Sequence, residues 1–298
     1  MTGNRWTFHA EPGFFVDLAE VFRQSRTKVT TQPSLALLSR PYPTDDHDQD
    51  AAHQKDWVRF AAHVKALNRD APDNVCYKVL YLTRHGLGFH NKKHAEVGPI
   101  AWETKWSLMD GDGEETWFDS FLTETGVQQV QELGRFWAKG VENDGIPLPQ
   151  TLYTSPLARC LQTSYYIFSP LMEANKKPFR PIIKEKLRER YTLHTCDMRR
   201  PGTWIRENYP NYAIEEGFPE GDLFRSRDRE ETVEEHKARK HAALEDIFSS
   251  DTNEFVALTI HSYAIAAVLL ACNAEPFQVR EGSSIALLVR GEKASASQ

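Results

Sequence analysis

Arg84, His85 and Gly86 end the apolar run in KVLYLTRHGLGFHN, residues 78–91, and their types point to phosphoryl chemistry. A neutral imidazole is a competent nucleophile toward phosphorus, and a neighbouring guanidinium offers planar donors that match phosphate oxygens. The same device recurs twice. Arg159 lies in SPLARCLQT, residues 155–163, just after the short apolar and aromatic segment 151–154. His261 closes FVALTIHS, residues 255–262, and opens onto YAIAAVLLAC. A histidine at a strand end is ordinarily a satisfied side chain, so each tripeptide alone says little. Three strand-length runs that each deliver a cationic or potentially cationic side chain, followed by helix-like sequence, say more.

The elements that must position these side chains follow from periodicity. Apolar runs bounded by charge and glycine predict buried strands of a mostly parallel sheet, which present functional residues at their carboxyl ends. The segments 122–137, 158–168 and 230–248 read as helices, and 285–289 as a last strand. Ala51 to Leu67 predicts an amphipathic helix through Trp57, Phe60, Ala61, Val64 and Leu67. The site residues are spread from 84 to 261, so no cut between them leaves an active half. Residues 1–76 are expected as an amino-terminal extension wrapping the sheet, with a lid or dimer contact as the rival reading. PYPTDDHDQD, residues 41–50, reads as a solvated connection.

The blocks and their order resemble the histidine phosphatase superfamily (branch 1), and within it the fungal phosphomutase-like proteins of the yeast Pmu type. Asn91 stands six positions after His85, where the family has an asparagine. Asp119, Leu122, Thr123, Gly126 and Gln129 of DSFLTETGVQQVQELG repeat the next block, and Ser155, Arg159 and Thr163 the one after it. LRERY at 187–191 is similar to the acid-donor segment and puts Glu189 in the acid's place; Glu231, Thr232 and Arg239 match late supporting residues, and His261 the second histidine. The HTCD at 194–197 and the form RHG-x-G-x-HN carry the likeness to the Pmu type. The resemblance implies an α/β fold, a three-layer α/β/α sandwich of the phosphoglycerate mutase-like kind with a mostly parallel central sheet. It implies a histidine phosphatase domain over residues 77–298, with residues 198–229 as an insertion. That segment is rich in proline, glycine, aromatic and charged residues, and is expected to act as a lid or specificity region.

The implied reaction is phosphate monoester hydrolysis in two displacements. His85 attacks phosphorus, Arg84, Arg159 and a protonated His261 hold the equatorial oxygens, and Glu189 gives a proton to the leaving oxygen and later takes one from water. Glu189 must then be partly buried to hold its proton near neutral pH. Asn91, His90 and Ser262 are expected at the substrate. Arg199 and Arg200 resemble a paired arginine with which mutases grip a carboxylate, which keeps phosphomutase activity as an alternative. Leu87 and Gly88 replace polar residues common in mutases, and Tyr191, Thr192 and Leu193 replace a His-Tyr-Gly continuation, which favours hydrolysis. A catalytically silent relative that binds phosphorylated ligands or partner proteins is the third reading.

Composition is that of a soluble globular protein: 298 residues, 40% hydrophobic, 26% charged, net charge -6. Mild acidity argues against a broad nucleic-acid footprint, so the expected partner is a small phosphorylated substrate, with oligomeric state open. Cys76, Cys160, Cys196 and Cys272 form no C-x-x-C pair and are read as free, packing thiols. No cofactor is expected. His90 and His94 lack the third ligand and the glutamate of a zinc motif, and DGDGEE at 110–115 lacks the calcium-loop frame, so no metal is expected either. No run reaches transmembrane length and the amino terminus lacks a signal-peptide core, so a cytoplasmic location is expected, with the nucleus open by diffusion.

Overall fold

Seven strands form one sheet in the order β1-β7-β2-β6-β3-β4-β5. In this computed structural model, residues 6–47, 50, 53–224 and 228–294 are described. The chain runs through β1 (Trp6–Ala10), α1 (Leu18–Ser25), α2 (Asp56–Asp70), β2 (Val75–Arg84), α3 (Phe89–Val97), α4 (Pro99–Thr104) and α5 (Glu124–Lys139). It continues through β3 (Thr151–Thr154), α6 (Ala158–Ala174), β4 (Ile182–Ile183), α7 (Gly202–Asn208) and β5 (Ala213–Ile214), and ends with α8 (Val233–Ser250), β6 (Phe255–Ile260), α9 (Ser262–Ala271) and β7 (Ser284–Lys293). The expected connection over 41–50, helix over 51–67 and insertion over 198–229 include residues 48–49, 51–52 and 225–227, which lie outside the described residues, as do 1–5 and 295–298.

β2, β6, β3, β4 and β5 run parallel, β7 lies antiparallel to β2, and β1 antiparallel to β7. Alternation along the buried strands feeds two cores. Leu80, Leu82, Val256 and Leu258 face the side covered by α8 and α9, while Val79, Tyr81, Phe255 and Ala257 face the side covered by α2, α5 and α6. Helices on both faces of a mostly parallel sheet make the three-layer α/β/α arrangement, and hydrophobic runs on β2 and β6 are what burial on both faces demands.

The amino-terminal residues join this frame directly. Trp6 and Phe8 alternate with exposed Thr7 and His9, so β1 lays two aromatics against Phe248 of α8 and pairs with the edge of β7. Trp57 and Phe60 of α2 are fully buried beside Tyr81, and the Trp57 indole donates to the Ser34 carbonyl at 2.9 Å. Among the described residues, no helix is long and apolar enough to cross a membrane.

Residues 198–224 of the expected lid pack mainly on the sheet edge. Ile205 and Tyr212 pack with Leu161 and Ile183, flanked by Trp204, Tyr209, Ile214 and Phe218, as a small core over the β4–β5 end of the sheet. Trp204, Tyr209, Tyr212 and Phe218 are spent on that edge, while Phe224 stacks on Tyr191 beside the Glu189 segment.

Candidate active site

The carboxyl ends of β2, β3 and β6 lie side by side, with Arg84 opposite Ile260 and both Thr83 and Thr154 opposite Thr259. The residues that follow therefore meet. His85 follows β2, Ser155 follows β3 and leads to Arg159 on the first turn of α6, and His261 caps α9 after β6. His85, Arg159 and His261 are almost fully buried, at 2%, 1% and 0% exposure.

Backbone contacts lock the turn after β2. The His85 amide donates to the Ile260 carbonyl at 3.1 Å, and the Gly282 amide donates to the His85 carbonyl at 2.9 Å. Gly86 is required: a side chain there would meet the Gly126 carbonyl oxygen at 2.6 Å and the Val130 side chain at 2.8 Å. Thr163 accepts from the Gly86 amide at 3.1 Å, and Gln129 from the Leu87 amide at 2.9 Å. Thr163 and Gln129 thus orient the loop that carries His85.

The hydrogen bonds define the tautomer of His85. Its Nδ1 lies 2.8 Å from the Gly86 carbonyl oxygen and donates to it, while Nε2 accepts from Arg159 Nε at 3.3 Å. The lone pair is therefore on Nε2, facing the cation. Burial, and then the Arg159 and Arg84 charges, hold this imidazole well below its ordinary pKa, so it stays neutral and nucleophilic.

His261 differs from expectation. Burial, Arg159 and His85 hold it well below its ordinary pKa. Its Nδ1 accepts from Arg159 Nε at 3.2 Å and its Nε2 donates to Ser155 Oγ at 2.7 Å. This is a neutral imidazole, because a second proton would put unscreened charge beside Arg159.

Arg159 is the hub. Besides the two imidazoles it donates to the Cys196 carbonyl at 2.6 Å and to Asp197 Oδ1 at 3.1 Å. Its helix is anchored by Asp119, which accepts from the Ala158 amide at 2.8 Å. Arg84 pairs with Glu281 at 2.8 Å and donates to the Val279 carbonyl at 2.6 Å, and its buried Nε has no partner among the described residues.

Glu189 lines the same pocket, of about 530 Å³, together with Arg84, His85, His90, Asn91, Arg159 and Ser262. Its carboxylate accepts from the Arg190 amide at 2.8 Å and the Tyr263 amide at 3.2 Å, which ties it to the first turn of α9. Burial, and then Asp197, push its pKa up. Its chain segment is clamped from α8. Lys240 donates to the Lys186 and Arg188 carbonyls at 2.7 and 2.5 Å, and Arg239 donates to the Glu189 carbonyl at 2.8 Å and pairs with Glu231 at 2.6 Å.

Of the expected substrate contacts, Asn91 turns its Oδ1 to the Gly88 amide at 3.1 Å, fixing the start of α3, and the His90 ring lies 5.6 Å from that of His85. Arg199 and Arg200 are elsewhere. Arg199 pairs with Glu185 at 2.8 Å and donates to the Pro219 and Gly221 carbonyls at 2.6 and 2.8 Å. Arg200 pairs with Asp119 at 3.1 Å and lies over Phe121 and Trp204. Both guanidiniums are consumed in holding residues 197–221 to the core, so neither is free to grip a carboxylate in the pocket.

Sequence reasoning missed Lys28, Asp197, Gln278 and Glu281, which line the pocket from distant parts of the chain, and carried the HTCD only as a likeness. His194, Cys196 and Asp197 bring donor atoms within 4.8 Å of one another. They fit a metal poorly: Asp197 Oδ1 is held by Arg159, Oδ2 accepts from Thr192 at 2.6 Å, and an added cation would face the Arg159 guanidinium.

The arrangement can seat a tetrahedral anion against Arg84 and Arg159, with a nucleophilic nitrogen behind it and a carboxyl of raised pKa in the same pocket. Comparison with known proteins agrees with that chemistry. The family described as the histidine phosphatase superfamily (branch 1) matches residues 103–285, a span holding Arg159, Glu189 and His261 that begins after His85. A protein named probable phosphoglycerate mutase in Arthroderma benhamiae is 38% identical over 286 residues, covering 96% of this chain and 85% of its own. The probable phosphoglycerate mutase PMU1 of Saccharomyces cerevisiae is 32% identical, covering 72% of this chain and 78% of its own. Phosphomutase-like protein 3 of Candida albicans is 30% identical, covering 71% of this chain and 65% of its own.

Proposed function

The chain belongs to the histidine phosphatase superfamily, and from that premise we propose that it is a metal-independent phosphomonoesterase acting on a small phosphorylated metabolite through a phosphohistidine on His85. The observation that carries this reading is the tautomer of His85, with Nδ1–H bound to the Gly86 carbonyl and the Nε2 lone pair at the Arg159 guanidinium.

A phosphate monoester repels nucleophiles through its own oxygens, so the cage must neutralise them before attack. Arg84 and Arg159 supply fixed charge, and the entering anion takes over the Arg159 Nε donor from the two imidazoles. His85 Nε2 then forms the N–P bond as the ester P–O bond breaks, and protonated Glu189 gives its proton to the departing oxygen. In the second half Glu189 takes a proton from water, whose oxygen attacks phosphorus; the N–P bond breaks, inorganic phosphate leaves and Nε2 regains its lone pair. The raised pKa of Glu189 is what a proton donor near neutral pH requires.

The names of the relatives favour phosphomutase activity as a second reading. A mutase must hold a second anionic group of its substrate, and the engagement of Arg199 and Arg200 with Glu185 and Asp119 supports hydrolysis instead. The test is phosphate release from a panel of sugar, nucleotide, vitamin and inositol phosphates without added metal. Release by the wild type, lowered about a thousandfold or more in His85→Ala, is expected. Positional isomers of a phosphorylated acid without free phosphate would instead establish the mutase.

A further inference from the structure

Outside the phosphate cage, every cation on the pocket wall among the described residues already stands beside a carboxylate. Lys28 Nζ lies 3.0 Å from Glu281 Oε1, the same oxygen that takes Arg84 Nη2 at 2.8 Å. One carboxylate thus answers two cations near the cage. Arg190 lies 3.5 Å from Glu230, with its guanidinium over the Tyr263 ring at 5.2 Å.

The wall built by α4 and the HTCD segment differs in kind. Glu103, which lines the pocket, has no lysine or arginine within ion-pair distance among the described residues; its partner is His194 Nε2 at 3.0 Å. Beside it, Trp102 packs between the rings of His94 at 5.8 Å and His194 at 5.9 Å, and all four side chains face the same cavity. A carboxylate on this wall attracts a cation through its charge and repels an anion.

We propose that the alcohol half of the substrate carries no second anionic group and is bound best as a cation, making the preferred substrate a phosphate monoester of an amino or ammonium alcohol. The proposal rests on the reading of Arg84, His85 and Arg159 as a phosphate cage, and it assigns Glu103 as the residue that sets the charge preference. Bisphosphates and phosphorylated carboxylic acids would place their second anion where no unpaired cation waits. The Glu103 side chain is 57% exposed, so its charge is partly screened, and one such contact corresponds to about a tenfold change in affinity at most.

The test is calorimetric binding of intact esters to the His85→Ala protein at fixed ionic strength. Matched pairs are used: phosphoethanolamine against phosphoglycolate, and the cationic phosphocholine against 3-phosphoglycerate. The cationic member should bind about tenfold tighter, and Glu103→Gln in the same background should bring the ratio toward one. Equal or tighter binding of the anionic members, or a ratio unchanged by Glu103→Gln, overturns the proposal. Hydrolysis of p-nitrophenyl phosphate by the wild type is followed separately. If it is absent while the charge preference stands, the hydrolytic reading fails and this one does not; if no ester and no inorganic phosphate binds, the cage itself is misassigned and both fall.

Discussion

The Glu189 carboxylate accepts the Tyr263 amide at 3.2 Å, two residues beyond His261. The proton donor and the second histidine are therefore held on one helix start, and Glu189 hangs between burial that protonates it and amides that favour its anion. Burial is the larger influence and its pKa is raised. Activity toward alkyl phosphates should hold above the ordinary glutamate range and fall as pH rises through that raised pKa. In single turnover, Glu189→Gln should lower phosphohistidine formation from alkyl esters by about 10²–10⁴ and abolish its alkaline limb, while formation from p-nitrophenyl phosphate, whose leaving group needs no proton, changes far less. Equal losses on both substrates would remove Glu189 as the acid.

Lys240 is fully buried on α8 and holds the carbonyls of residues 186 and 188. It acts on the reaction only by placing Glu189. In single turnover, Lys240→Met should lower phosphohistidine formation from alkyl esters about tenfold, with a smaller effect on formation from the aryl ester, at unchanged circular dichroism. A uniform loss on both esters would mean that it only supports the fold.

Four buried histidines, His85, His90, His236 and His261, have their folded pKa values depressed chiefly by burial. The unfolded chain takes up a proton at each as pH falls through the ordinary value of 6.5, and the folded chain does not, so their contribution to stability is lost on acidification. Each loses about 1.4 kcal/mol per pH unit. Glu189 and Asp119, raised by burial, act with the opposite sign, gaining as pH falls through their folded values. The four histidines outweigh the two carboxyls, so stability should fall between pH 6.5 and 5.5, read from urea midpoints. Constant or rising stability over that interval would contradict the buried neutral histidines.

A side chain at position 126 would put its first carbon 2.1 Å from the Leu87 carbonyl oxygen, which accepts from both the amide and the hydroxyl of Thr123. Backbone lies on both sides, so neither can yield cheaply. Gly126→Ala should cost about 2–4 kcal/mol and lower Tm by about 3–6 °C. Gly221→Ala, with nothing within 4 Å of the added carbon, should leave Tm nearly unchanged.

The strands that carry the site were legible because β2 and β6 are buried on both faces and end where charge begins. Arg84, His85, Arg159 and His261 converge because neighbouring parallel strands end at one edge of the sheet. The rest depended on contacts with no local signature. Asp197 and Glu281 reach the arginines across 38 and 197 positions of sequence, and nothing in their own neighbourhoods announces the partner. β1 was overlooked although Trp6 and Phe8 alternate with polar residues, because five residues are too few to distinguish an edge strand from a tail. α3 is mostly polar and starts on a cap made by Asn91 with Gly88, so it lacks an apolar stripe. Arg199 and Arg200 were misassigned for a different reason: an arginine pair offers the same donors to a ligand as to the carbonyls of its own chain, and sequence does not say which comes first.

The central claim is that phosphate passes through His85 Nε2. The direct measurement is a rapid alkaline quench of the wild type during turnover, followed by mass analysis of the peptide containing residue 85. The account predicts a phosphoryl group on His85, stable in base and lost in acid, that forms at least as fast as product and is absent in His85→Ala. Sustained phosphate release with no phosphohistidine, and with His85→Ala turning over as the wild type does, would contradict it.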